Sequence, residues 1–302
     1  MNLPTNAIAE TAQANPARPA EISAAQRFYW TLRRELWEWR SIYIGPAAIA
    51  AFYLIVYALS TVHLPEQMRA AMALDPEKMH AAIMHPYDLA AGLIMASAML
   101  TSIYYAVETL YGERRDRSIL LWKSMPVSDT MTVLTKASVA IVFMPLVGLA
   151  LTFVTHLLML LLSSAVLSAS GVGAGMLWQH LGFFHMSTGL FFHLMLGHTL
   201  WYAPFFAWFL LVSAWAPRAP LLWATLPPLA AGFLEKFLFN TTYFAEMVGN
   251  QFSTGPDTGS HVDMMGFSFE HFFGSPAVWV GLVVAALFLY AAIRVRQHRG
   301  PI

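Results

Sequence analysis

The stretch 133–162, VLTKASVAIVFMPLVGLALTFVTHLLMLLL, decides the fold class of this chain. It holds one charged side chain, Lys136, in thirty residues. An α-helix rises about 1.5 Å per residue and the hydrocarbon core of a bilayer is about 30 Å thick, so about 20 apolar residues can cross it. The stretch therefore predicts a transmembrane helix, and its extra length implies tilt or extension beyond the bilayer.

Apolar stretches of similar character recur along the chain. Hydrophobic residues make up 58% and charged residues 11% of the sequence, whereas a soluble domain has about 25% charged residues. The pattern predicts an all-α integral membrane protein with about six transmembrane helices, at 42–62, 89–107, 133–162, 190–215, 221–239 and 277–293. The span 221–239 is the least regular, because its Pro227–Pro228 and Glu235–Lys236 pairs also fit a broken or re-entrant segment.

The region before the first span divides into two parts. Residues 1–24 are rich in Ala, Pro, Asn and Thr, so we expect a disordered N-terminal segment followed by one membrane domain over 25–302. The start of that domain predicts an amphipathic helix in the membrane interface. Apolar residues recur on one of its faces and charged residues on the other, namely Ala25, Phe28, Leu32, Leu36 and Trp39 against Arg27, Arg34 and Glu38.

The distribution of basic residues predicts the orientation, because Lys and Arg are retained on the cytoplasmic side. Of the 17 basic residues, only Arg69, Lys78 and Lys236 fall on one side of the predicted spans. The other fourteen fall on the opposite side, at Arg18, Arg27, Arg33, Arg34, Arg40, Arg114, Arg115, Arg117, Lys123, Lys136, Arg218, Arg294, Arg296 and Arg299. Both termini are therefore predicted to be cytoplasmic, with 63–88 and 240–275 outside.

Several kinds of chemistry find no support in the sequence. It contains no G-x-x-x-x-G-K-[ST], G-x-G-x-x-G, H-E-x-x-H or G-x-S-x-G motif, so we expect neither nucleotide hydrolysis nor other catalysis by this chain. The absence of cysteine excludes thiolate metal ligands, and we expect no metal or cofactor in the chain. A net charge of +0 gives no reason to expect nucleic acid as a partner.

Three histidines are the ionisable candidates at membrane depth: His156, His193 and His198. On an α-helix, His193 and His198 would lie about 140° apart and would not share one ligand. Hydrogen bonding between helices is therefore the favoured interpretation. A membrane-embedded enzyme that uses these histidines with a metal or haem stays an open alternative.

Methionine and histidine also cluster between the first two spans. Thioether and imidazole groups would suit copper, at Met68, Met72, Met79, His80, Met84 and His85. However, Met68, Met72 and Met79 share a helical face, which is typical of an apolar stripe that packs on neighbouring helices. Packing is therefore the favoured interpretation of this cluster.

The connection between the second and third spans carries the most specific pattern, ETLYGERRDRSILLWKSMPVSD at 108–129. Its charged run is followed by an apolar run and then by a proline. We expect Gly112 to end the second span, 114–124 to form a short helix that Pro126 ends, and Asp129 to cap the third span. Ile119, Leu120 and Trp122 would then be available for docking.

This connection resembles the permease subunit of bacterial type-2 ABC exporters. The resemblance rests on 113–118 running into 124–129 and Lys136, together with an interfacial helix and six spans. It implies a coupling helix that binds a cytoplasmic ABC ATPase, which would carry ATP and Mg. The residues it implies for this contact are Glu113, Arg114, Arg115, Asp116, Arg117, Ser118, Leu121, Trp122 and Pro126.

The same resemblance implies a multi-pass protein of the bacterial inner membrane, which works as a homodimer or heterodimer of permeases in the lipid bilayer. Transport is expected to be outward. Aromatic-rich, uncharged spans fit lipids, peptides and hydrophobic drugs equally, so no substrate is assigned. A non-transporting membrane anchor or sensor stays a further alternative.

Overall fold

The computed structural model describes residues 23–125, 127–253 and 269–302, and within them every regular element is a helix. The predicted disorder of 1–24 and the predicted role of Pro126 fall on residues outside this range. The α-helices are α1 Ala24–Glu38, α2 Ser41–Ser60, α3 Leu64–Ala71, α4 Pro76–Arg115, α5 Ile119–Ser124, α6 Asp129–Ser138, α7 Met144–Ala169, α8 Gly175–Leu181, α9 Phe183–Phe192, α10 Thr199–Trp201, α11 Ala203–Trp215, α12 Pro220–Phe239, α13 Tyr243–Ser253, α14 Phe269–Gly274 and α15 Pro276–His298.

Long apolar helices confirm the membrane-type, all-helical architecture. In the described part of the chain four helical stretches are long and apolar enough to cross a bilayer: Ser41–Ala71, Pro76–Arg115, Asp129–Ala169 and Pro276–His298. A fifth results if Leu177–Trp201 and Ala203–Trp215, which meet at a bend of 49°, form one span. The predicted count of about six is therefore not confirmed. The helix α12 is continuous through Pro227 and Pro228 but is not among these spans.

The two longest predicted spans are both interrupted by π-helical turns just before a proline. The first turn, Val139–Phe143, is followed by Met144 and Pro145. The second, His193–His198, is separated from Pro204 by the short helix α10. Pro145 has no N–H to donate to the Ile141 carbonyl, which lies in the first π-helical turn, so the ladder of hydrogen bonds is rearranged there. At the first interruption the Ser102 hydroxyl donates to the Ala140 carbonyl at 2.7 Å. Both helices thus widen into π-helical turns, and the second also bends by 49° before Ala203.

The helix α1 begins with a reciprocal capping box. The Ser23 hydroxyl accepts from the Gln26 N–H, and the Gln26 side chain accepts from the Ser23 N–H. Leu32 is buried and Phe28, Leu36 and Trp39 pack beside it, so these four residues of the predicted apolar face are confirmed as the packing face, whereas Ala25 is exposed. The position of this helix in a membrane interface stays a prediction.

Two large hydrophobic cores lie along the described part of the bundle, beside three smaller clusters. The first surrounds Tyr105, Leu110, Val133 and Phe206, where α4, α6 and α11 meet. The second surrounds Tyr87, Met159, Leu160 and Phe183, where α4, α7 and α9 meet. Of the predicted methionine stripe, Met68 and Met79 pack in the second core, whereas Met72 is exposed.

Small residues allow α7 to approach α4 closely between the two cores. A Cβ at Gly148 would lie 3.3 Å from both the Ala98 Cβ and the Met95 Sδ. Glycine at this position therefore permits a contact that a larger residue would crowd, as at many helix crossings in membranes.

The connection after α4 differs from the predicted one in its boundaries. The helix continues through Gly112, which is buried, and ends at Arg115. Arg117 then takes a left-handed conformation (φ 59°), and the short helix covers Ile119–Ser124 rather than 114–124. Ser128, not Asp129, caps the next helix, because its hydroxyl accepts from the Met131 N–H at 3.1 Å.

Candidate functional site

A buried lysine lies at the centre of a charge network at one end of the bundle. The Lys136 ammonium, on α6, is 2.6 Å from Glu35 Oε1 on α1 and 3.0 Å from Glu113 Oε1 on α4. It also donates to the Thr109 hydroxyl at 2.7 Å. All three charged side chains are almost fully buried, at 1% to 6% relative exposure. Each charge is therefore compensated within the protein and not by water.

The network continues from Glu113 to the last helix. Glu113 Oε2 accepts from the Arg296 guanidinium at 2.5 Å, and the same guanidinium donates to Asp129 Oδ1 at 2.9 Å. Arg296 lies on α15 and Asp129 at the start of α6. The ion pairs therefore join α1, α4, α6 and α15, which are far apart in sequence.

Hydrogen bonds complete the environment of Glu35. The hydroxyls of Tyr105 and Thr109 donate to its Oε1 at 2.9 and 3.0 Å. The Arg34 guanidinium lies 3.4 Å from its other oxygen. Arg34 Nε also lies 3.6 Å from Glu38 Oε2, so the network joins four acidic groups (Glu35, Glu38, Glu113 and Asp129) to three basic ones (Arg34, Lys136 and Arg296). A connected network of alternating charges holds its helices in one arrangement.

Arg114 has a separate role beside the network. Its guanidinium donates to the carbonyls of Ala214 and Ala216 at 2.8 and 3.1 Å, at the end of α11. The last carbonyls of a helix lack intrahelical donors and carry a partial negative charge, so a buried arginine stabilises this terminus. Arg114 therefore binds inside the chain, although the resemblance assigned it to a partner.

The short helix α5 lies next to this network and presents two leucines outward. Ile119 is fully buried, and the Arg34 guanidinium lies 3.4 Å from the ring centroid of Trp122. Leu120 and Leu121 are each 58% exposed. The inner face of α5 thus holds the helix to α1, while its outer face is an apolar step. We call Leu120 and Leu121 the leucine step.

The residues predicted to form the coupling surface therefore separate into two groups. Glu113 and Arg114 are buried and bonded within the chain, and Ser118 is half-buried with its hydroxyl donating to the Glu113 carbonyl at 3.4 Å. Arg115, Asp116, Arg117 and Leu121 are exposed. Of the three residues expected to dock, Ile119 is buried, Trp122 is partly covered by Arg34, and only Leu120 is exposed.

A small cleft leads from the surface toward the network. Its volume is about 150 Å³, and its lining includes Glu38, Glu108, Glu113, Arg115 and Lys136. Burial, followed by the nearby charge of Glu35, raises the pKa of Glu38 above its usual range. Arg115 lies at the exposed side of the cleft, where it is 2.7 Å from Glu108 Oε1.

The membrane histidines lie away from the charge network and from α5. His156 is buried on α7, where its Nε2 is 2.9 Å from the Tyr87 carbonyl and its ring packs against the Tyr87 ring. This contact agrees with the favoured hydrogen-bonding interpretation. Among the residues that the structure describes, no group of three or more His, Cys, Asp or Glu side chains is placed to hold a metal ion.

The geometry expected for the other two histidines was wrong. His193 and His198 bound a π-helical turn, in which hydrogen bonds join residues five apart. Residues at this spacing therefore lie closer to one face than the 140° of an α-helix implies. His198 packs against Tyr202, with ring centroids 4.9 Å apart.

Sequence reasoning overlooked most of the network. The sequence showed Lys136 within an apolar stretch, but it did not indicate Glu35 as its ion-pair partner or Asp129 and Arg296 as further members of the network. One signal was available at Glu35, which lies three residues after Leu32 and so shares the packing face of α1. An acidic residue on an apolar face, in a chain with a lysine inside a span, indicates a buried pair.

The chain matches no protein family model, no curated protein and no solved structure. Its function is therefore inferred from its own residues and their geometry.

Proposed function

We propose that this chain is the membrane-spanning subunit of an ATP-driven bacterial exporter, and that the leucine step docks on a separate cytoplasmic ATPase. The observation that carries the proposal is the exposure of Leu120 and Leu121 on a short helix between charged residues. At the aqueous surface of a membrane protein, two adjacent leucines that are each 58% exposed would have an unfavourable hydration free energy unless a partner covers them.

The surroundings of the leucine step support a mechanical role. The helix α5 is fixed on its inner side by Ile119 and by Trp122 beneath Arg34, and Arg34 contacts the buried Glu35. A push on α5 would thus reach α1 and, through Lys136, the helices α4 and α6. Transport by alternating exposure of the membrane domain needs a rigid connection of this kind.

The proposal places the charge network and both termini in the cytoplasm of a bacterium, with the chain in its inner membrane. The excess of basic residues at this side supports the orientation. The working unit would contain two such chains, or one chain and a related one, with two ATPases that bind ATP and Mg. The chain itself carries no nucleotide-binding motif.

Affinity capture of the tagged chain from its native membrane tests the proposal. We expect the wild-type chain to retain an ATPase whose hydrolysis is sensitive to vanadate. Replacing both leucines of the step by serine should lower the retained activity by at least about tenfold, because buried aliphatic anchors contribute about 2 kcal/mol or more each.

A matched control is available on α12. Leu221 and Leu222 are also adjacent, with 55% and 56% exposure, so serine at both positions makes the same chemical change elsewhere. We expect this control to retain the ATPase. Equal retention by the wild-type chain and a correctly inserted Leu120→Ser, Leu121→Ser variant would overturn the docking proposal and favour a membrane anchor.

A further inference from the structure

A cavity of about 470 Å³ opens at the other end of the bundle, between α2, α3 and α4. Its walls include Tyr53, Tyr57, Met68, Ile83 and Tyr87. Sites for small molecules usually measure about 300–1,000 Å³ and are mostly apolar, so both size and lining are suitable for a ligand.

The walls of the cavity are well fixed. Tyr57, Met68, Ile83 and Tyr87 are all at most 8% exposed and belong to the second core. These side chains also pack against the core behind them, so they cannot move into the cavity without opening gaps there, since protein interiors are close-packed. The cavity is therefore part of the fold, and a ligand that fills it gains contacts that the walls lack.

The lining disfavours a charged ligand. It contains no Asp, Glu, Lys or Arg, so a cation placed there would have no opposite charge to compensate its lost hydration, and an anion would meet only the imidazole of the exposed His85. Polar groups are nevertheless present at one side of the cavity, at Ser60, Thr61 and Gln67. An uncharged molecule with an apolar body and one or two polar groups meets both conditions.

Two polar groups of the lining residues lack a hydrogen-bond partner that such groups usually have. Tyr87 is 1% exposed, and its hydroxyl has no hydrogen-bond partner among the described residues. Pro86 has no N–H, so the Ala82 carbonyl cannot receive its normal helical hydrogen bond. By contrast, the Tyr53 hydroxyl donates to the Pro86 carbonyl at 2.6 Å. Pro86 thus leaves one backbone acceptor of α4 without its helical donor beside the cavity, whereas the Tyr87 hydroxyl is buried next to Tyr57 and Ser163.

We propose that this cavity binds an uncharged amphiphile of the glyceride type, with an apolar chain and hydroxyl or ester groups. The apolar chain would contact Met68, Ile83 and Leu89, and the polar groups would bond at the side of Ser60 and Gln67. The proposal does not depend on an ATPase and goes beyond the exporter function, since it concerns binding by the chain alone.

Photolabelling of the purified full chain in phosphatidylcholine nanodiscs tests the proposal. The probe is a monoacylglycerol that carries a diazirine in its acyl chain. We expect the label to map to peptides covering 53–71 and 82–89. Ala82→Trp should reduce labelling by about tenfold, because Ala82 lines the cavity and the indole would fill part of it.

A neighbouring residue supplies the control. Ala81 is exposed on the same helix but does not line the cavity, so Ala81→Trp should leave labelling unchanged. Both variants are compared at equal thermal stability in detergent. Protection by dioleoylglycerol in the nanodisc identifies a bilayer glyceride as the occupant, whereas protection by monohexanoylglycerol added from water identifies a free amphiphile, and either result supports the site.

Three results would overturn the proposal. The first is equal labelling of the Ala81→Trp and Ala82→Trp variants. The second is labelling that neither glyceride reduces. The third is equally strong labelling of 53–71 and 82–89 by a glycerol phosphate that carries the same diazirine chain, because the lining offers a dianion only the imidazole of His85.

Discussion

The two ends of α4 differ in the side chains that are buried around them. Near Thr109, charged side chains are buried, and each meets either an opposite charge or, for Arg114, backbone carbonyls within the chain. Near Tyr87, the buried groups are tyrosines and methionines, and a cavity of about 470 Å³ remains between the helices. The two positions are about 33 Å apart along the helix axis, at about 1.5 Å per residue, which is close to the thickness of the hydrocarbon core.

The two ends should therefore differ in how well they tolerate amino-acid substitutions. Buried charges require all their partners at once, since loss of one leaves another uncompensated. In an apolar region, removal of a group costs its transfer free energy and a term for the cavity left behind, but leaves no uncompensated charge. The charged end is therefore suited to transmit a force from a docked partner, and the apolar end is suited to admit and release a ligand.

The largest effect is expected at the centre of the network. Lys136→Met leaves Glu35 and Glu113 close together without the ammonium that separates them. We expect the free energy of unfolding, measured by SDS titration in mixed micelles, to fall by about 3–5 kcal/mol. Lys136→Arg keeps the positive charge, so its free energy of unfolding should fall less than that of Lys136→Met. A fall of under about 1 kcal/mol for Lys136→Met would show that these charges are not buried as described.

A smaller effect is expected in the apolar core. The Ser163 hydroxyl donates to the Met159 carbonyl, so the Tyr57 hydroxyl, 2.7 Å away, must donate to Ser163. Tyr57→Phe removes this bond and leaves Ser163 its other partner. We expect a loss of about 0.6–1.7 kcal/mol in the same titration, as for other hydrogen bonds between membrane helices. A loss as large as that of Lys136→Met would remove the contrast between the two ends.

The smallest effect is expected for a lysine outside both cores. Lys78 is 3.2 Å from Asp75, and both side chains are more than 70% exposed. Lys78→Met makes the same substitution as at Lys136 but in water, where an ion pair contributes about 0–1 kcal/mol. The SDS titration should therefore detect little change, and that result calibrates the cost of burial at Lys136.

Hydropathy predicted the helical segments well where they are continuous. The predicted spans 42–62 and 277–293 correspond closely to α2 with its following turn and to α15. It predicted 190–215 less well, because that stretch is broken by a π-helical turn and a bend. The predicted 221–239 corresponds to the continuous helix α12, although α12 is not among the long apolar spans.

The amphipathic pattern predicted the face of α1 that packs, but not the charge it buries. The same limit applies at α5, where the apolar run from Ile119 to Trp122 was expected to dock as a unit. The structure divides this run between an inner and an outer face, and only its packing partners decide which residue faces outward.

The sequence alone thus determined the class of the protein, because the transfer of a segment into lipid depends on the residues of that segment. Only the tertiary structure decided which charges pair, which leucines stay exposed and where a cavity remains. Glu35 meets Lys136 across 101 positions, and Glu113 meets Arg296 across 183. The free energy of such a contact depends on the distance and burial of both partners, and these exist only once the helices have packed.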